Sequence, residues 1–106
     1  MASGKDYLNY ILDQLSGLDG ITHRAMMGEY IIYFRGRIAA YVCDDRLLAK
    51  PVPAAMRLLP SALMEPPYEG AKPMLLVENT DSRELLTELF EAMYDELPEP
   101  KPKKKN

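Results

Sequence analysis

Chemically versatile side chains are scarce in this sequence of 106 residues, which has one cysteine, Cys43, and one histidine, His23. A lone cysteine excludes an internal disulfide, and with a single imidazole beside it none of the usual zinc-ligand sets can be assembled. No uncharged apolar run reaches the roughly 18 residues that a membrane-spanning helix needs. The amino terminus lacks a basic segment followed by an apolar one, so neither a signal peptide nor a membrane anchor is expected, and the chain is expected to stay in the cytoplasm. Gly17, Gly20, Gly28 and Gly36 do not have the compact spacing that turns several backbone amides toward one phosphate. No metal and no cofactor are expected.

What is present is apolar material: 47% of the residues, enough for a folded core. A chain of this length suits one domain of marginal stability, read here as residues 1–97, with PEPKPKKKN at 98–106 as a mobile Pro/Lys tail. The formal charge of −3 is unevenly spread. Arg24, Arg35, Arg37, Arg46, Lys50 and Arg57 make the middle of the chain basic, whereas Asp81 to Glu99 holds seven acidic residues and only Arg83.

The organising stretch is Thr22 to Val52. Thr22–Met27, Tyr30–Phe34, Ile38–Val42 and Arg46–Lys50 read as successive strands, with Gly28, Arg35-Gly36 and Asp44-Asp45 as the turns and Pro51 as the stop. Ile38, Ala40 and Val42 are expected on one face, Ala39 and Tyr41 on the other. Before it, Tyr7, Leu8, Ile11, Leu12 and Leu15 recur at helical spacing, with Ser3 as the expected cap and Gly17 as a left-handed stop. After it come a short helix at Pro53–Leu59 and a proline-rich connector, with Leu63 and Tyr68 expected to anchor that connector to the core. A further strand at Met74–Val77 and a last helix capped by Asp81 with Glu84 complete the chain. These elements predict a two-layer α+β domain, an antiparallel sheet of about five strands flanked by helices in the order α-β-β-β-β-α-β-α.

The run R-A-M-M-G-E-Y-I-I-Y-F-R-G-R-I followed by D-D-R-L-L-A-K-P resembles the signature of the TfoX/Sxy amino-terminal domain family. Arg24, Met26, Gly28, Tyr30, Gly36, Asp45 and Lys50 carry the match, which continues through E-G-A-K-P-M-L-L-V-E-N. Met27 stands where the pattern has Phe, and Glu29 where Gly is frequent. The resemblance implies the same α+β arrangement and a regulatory role in bacterial natural competence. Fuller members carry a carboxy-terminal domain with a helical, DNA-binding-like character, which is expected to be absent here because the chain ends soon after the last helix.

Reactive constellations are few. A thiol nucleophile needs its base within hydrogen-bond reach, and His23 with Cys43 is the one pair to weigh; both fall in predicted strands with no third group to orient them. The carboxylates after Asp81 read as the wet face of a helix. No catalytic residue is assigned, and the chain is not expected to be an enzyme. Two surface readings remain. Arg24, Tyr33, Arg35, Arg37, Tyr41 and Arg46 would suit single-stranded nucleic acid, with tyrosines stacking bases. Met26, Met27 and Met74 would suit an adaptable protein interface. The leading expectation is a regulatory module that works through a protein partner or a homodimer, with Arg24, Met26, Met27, Tyr33, Arg35, Arg37, Tyr68 and Met74 as the candidate surface.

Overall fold

Alternating apolar strands joined by tight turns can close locally, and they do. The structure, a computed structural model, describes residues 4–26 and 29–97. Helix α1 (Lys5–Gln14) leads into β1 (Ile21–Met26), β2 (Glu29–Phe34), β3 (Arg37–Cys43) and β4 (Arg46–Ala49). Helix α2 (Pro53–Leu58), β5 (Met64–Glu65), β6 (Met74–Val77) and α3 (Arg83–Met93) follow, and a 3-10 turn at Tyr94–Glu96 extends α3. The strands form one sheet in the order β1-β2-β3-β4-β6-β5, and every neighbouring pair is antiparallel.

Both hairpins inside the meander use backbone conformations of positive φ: Arg35 (52°) with Gly36 (85°), and Asp44 (52°) with Asp45 (55°). Paired positive φ angles give a turn whose twist matches that of its strands, and aspartate tolerates this region better than most side chains. Gly20 closes the other end of the β1–β2 pair. At φ 86° it accepts a hydrogen bond from the Arg35 amide at 2.8 Å, and a Cβ there would lie 2.8 Å from Arg35 Cγ.

Side-chain parity then sorts the sheet into two faces. On one, Ile32, Phe34, Ala40, Val42, Leu47, Ala49, Leu75 and Val77 form a single core with residues of all three helices, including Leu8 and Ile11 of α1, Ala55 of α2, and Leu86, Leu89, Phe90 and Met93 of α3. Phe34 meets Phe90 at a ring-centroid distance of 6.3 Å and Tyr94 edge-on at 5.4 Å. Polar contacts pin the helices to one another. Gln14, buried on α1, donates to the Thr80 carbonyl at 2.9 Å and accepts from Arg83 Nε at 3.2 Å. The Ala54 amide at the start of α2 donates to the Glu96 carboxylate at 2.7 Å.

The predicted α+β class, the layers and the element order hold, with differences that have local causes. A sixth strand, β5, pairs with β6 through two residues only, too few for any periodic signal between Pro60 and Pro66. The extra residue in β3 breaks the expected alternation. Ile32 faces Ala40 but Tyr33 faces Ile38, so Ala39 bulges, joins the main core and gives its carbonyl to the Lys50 amide at 3.0 Å.

Gly4, not Ser3, occupies the cap position of α1, and Ser3 lies outside the described residues. Gly17 is not among the glycines of positive φ; the helix closes at Leu15 with φ −95°. The cap of α3 is Ser82, whose hydroxyl accepts from the Leu85 amide at 3.2 Å, one residue past the expected Asp81. Leu63 and Tyr68 are exposed rather than anchored, and Pro67 is the connector residue that is buried. Met27 and Gly28, at the expected end of the first strand, and the expected tail at 98–106 lie outside the described residues.

Candidate functional site

The second face of the sheet carries the features that the core does not explain. Register places Thr22, Arg24 and Met26 of β1 beside Tyr33, Ile31 and Glu29 of β2 on this side. Further along it, Tyr41, Cys43, Leu48, Met74 and Leu76 make a second apolar cluster, separate from the main core. Among the described residues no helix packs on this face; what covers part of it is the connector between β5 and β6.

Cys43 and Arg46 hold that connector down. The Cys43 thiol donates to the Pro67 carbonyl at 3.0 Å. Arg46 Nη1 bonds Glu65 Oε1 at 2.6 Å while its Nε donates to the Cys43 carbonyl at 3.3 Å. Burial pushes the Cys43 thiol up, and the Arg46 guanidinium beside it pulls the other way without reversing the shift. A thiol held protonated and hydrogen-bonded to a carbonyl is a packing group, not an activated nucleophile. Nor does His23 reach it. His23 pairs with Ile32, whose side chain belongs to the helix-covered core, and it meets Tyr30 edge-on at 6.3 Å. Imidazole and thiol therefore sit on opposite sides of the sheet.

Among the described residues Glu29 is the one charged side chain that is buried, at 8% exposure, and its Oε1 has no hydrogen-bond partner. Burial, with Asp44 adding repulsion, raises its carboxyl above the ordinary glutamate range. Tyr41 is held neutral in the same way, its phenol pushed up first by burial and then by the neighbouring Tyr68.

The predicted surface set divides in three. Arg24, Met26 and Tyr33 share the β1–β2 half of this face, and Arg24 and Met26 are exposed there. Tyr68 and Met74 line a cleft at the β4–β6 end, though Met74 is only 5% exposed. Arg35 and Arg37 turn the other way. The Arg35 guanidinium lies 5.0 Å from the Phe34 ring centre, and that of Arg37 lies 4.4 Å from Tyr94, with its Nη1 donating to the Tyr94 carbonyl at 2.9 Å. Both clamp the end of α3 to the hairpin. Met27 lies outside the described residues.

Lys50, Pro67 and Lys72 are cleft residues that the sequence reading passed over. A signal existed in the repeated dipeptide Lys50-Pro51 and Lys72-Pro73, one leaving β4 and the other entering β6.

Comparison with known proteins adds a family and a relative. A curated protein of Spirochaeta aurantia, described as an uncharacterized 12.7 kDa protein in the trpE 5′ region, is 28% identical over 105 residues, covering 98% of this chain and 91% of that one. No solved structure matches the chain. The model of the TfoX N-terminal domain matches residues 13–94, from the end of α1 to the end of α3 and so across the whole sheet, and the chain belongs to that family.

Proposed function

We propose that this chain is a non-catalytic regulatory module, of the competence-related kind its family supports, that acts in the cytoplasm through contacts with another protein chain. The observation that carries this reading is β1. Five of its six residues, Arg24 and Met26 included, are exposed, it pairs on one side only among the described residues, and it adjoins the half-buried Tyr33 of β2. Such an edge presents unpaired amides and carbonyls, and proteins ordinarily guard it with proline, a bulge or several charges. Here Arg24 is the one permanent charge on the strand. A free edge beside apolar side chains accepts a strand or helix from a second chain.

Nucleic acid fits this half less well. Arg35 and Arg37 lie over the Phe34 and Tyr94 rings, leaving Arg24 as the cation among the predicted surface residues on this part of the sheet. Charge-driven binding to phosphates needs several.

The test is a double substitution, Met26→Glu with Tyr33→Glu, placed in a cell deleted for the gene. A folded variant, checked by its melting curve, is expected to lose the regulated transcript and any self-association or partner cross-link of the wild type. Full complementation by that variant, together with a wild-type chain that is monomeric at high concentration, would overturn the reading.

A further inference from the structure

We propose that the cleft between the two Lys-Pro dipeptides binds a small phosphorylated aromatic molecule of the nucleoside monophosphate class. It lies at the β4–β6 end of the face and uses none of the β1–β2 residues on which the regulatory reading rests. The two can therefore fail separately.

The geometry begins with the sheet. Leu48 pairs with Leu76 and Ala49 with Leu75, so Lys50-Pro51 leaves β4 beside the point where Lys72-Pro73 enters β6. Both lysines line the same cleft of about 540 Å³, with Tyr41, Tyr68, Pro67, Ala71 and Met74. That volume sits within the roughly 300–1,000 Å³ typical of small-ligand sites. No carboxylate is among the lining residues, and neither ammonium has an ion-pair partner among the described residues. The cleft is thus locally cationic in a chain whose net charge is −3.

Two observations narrow the ligand. Lysine is a compact point charge that meets a phosphate from any angle, whereas planar carboxylates are better matched by the arginine fork. Two such charges suit a single phosphate group. A polynucleotide strand would need a track of cations, and the arginines that might have extended one are turned toward Tyr94. The rest of the lining offers flat or soft apolar surface: two tyrosines, two prolines besides Pro67, and the Met74 thioether. Tyrosine faces stack on nucleobases irrespective of which base is present, and methionine adapts to a ring edge. The wall carrying Tyr68 is also fixed in advance, because the Cys43 thiol and Arg46 hold Pro67 and Glu65 in place.

The experiment is titration of the full chain with AMP and UMP, followed by calorimetry and by amide NMR shifts, with adenosine and inorganic phosphate as separate probes. Saturable binding is expected in the submillimolar range, with shifts centred on Tyr41, Tyr68, Lys72 and Met74, and at least about tenfold weaker binding of either fragment. Lys72→Gln and Tyr68→Ala change exposed residues, so both variants fold, and each is expected to weaken AMP about tenfold. Oligothymidylate supplies the other source of a nucleotide. Binding no tighter per nucleotide than UMP supports a free ligand. Much tighter binding with a steep salt dependence overturns the proposal in favour of a strand. It is also overturned if AMP gives no saturable shift, if phosphate alone binds as well as AMP, or if binding is indifferent to both substitutions.

Discussion

The two faces of the one sheet were built to different ends. On the helix side, Ile32, Val42, Leu47 and Ala49 are fully buried against Ile11, Leu86, Leu89 and Phe90, and the arginines that stray there are clamped over aromatic rings. On the other side, a smaller apolar cluster is roofed by a proline-rich connector pinned through Cys43 and Arg46, while Arg24 and Met26 stay exposed and Glu29 keeps a buried carboxylate oxygen without a partner. Stability is concentrated on the first face because apolar area removed from water is worth most where packing is continuous. Substitutions on the second face are therefore expected to cost the fold less.

Three substitutions press on that contrast. The largest effect belongs to Phe90→Ala on the helix side, which leaves a cavity beside Phe34 and is expected to cost about 3–5 kcal/mol, a large share of the roughly 5–15 kcal/mol a small domain has. Chemical denaturation measures it, and a loss below about 1 kcal/mol would mean the helices are not what holds the sheet. Arg46→Ala on the other face removes a charged hydrogen bond to Glu65 and leaves Cys43 less well held, but both side chains are partly exposed. About 1–2 kcal/mol is expected, after discounting for solvent screening. The loss should appear as faster amide exchange confined to residues 63–73, and uniform acceleration across the sheet would contradict the separation of the two faces.

The smallest effect is on the pH profile. Because the folded-state pKa of Glu29 is raised, the native chain binds more protons than the unfolded chain between the ordinary glutamate value and the raised one, so stability falls as pH rises through that window. Glu29→Gln should remove this slope, raising the melting temperature at neutral pH and leaving it little changed well below the ordinary glutamate value. An unaltered slope in the variant would show that Glu29 is not the group responsible.

Much of the helix-covered face was readable directly. Leu8 and Ile11, and then Leu86, Leu89, Phe90 and Met93, recur at helical spacing and all reach the core. Arg35-Gly36 and Asp44-Asp45 carry turn chemistry that specifies hairpins without outside help. The family signature likewise lies in short runs around the hairpins and β6, and the family match spans residues 13–94. The second face was less legible. The Ala39 bulge changes which side Ile38 takes, and a bulge leaves no mark in a short apolar run. Arg35 and Arg37 looked like surface cations because their ring partners, Phe34 apart, are nearly sixty residues away at Tyr94. Lys50 and Lys72 looked unrelated for the same reason, since only the pairing of β4 with β6 makes them neighbours.

Local order in this chain, its helices, hairpins and longer strands, follows from short-range periodicity and turn residues, which act within a few positions of one another. Which face the helices cover, where the connector lies and which cations share a cleft depend on contacts between residues far apart in sequence. Those contacts exist only once the sheet has closed and burial has chosen a side.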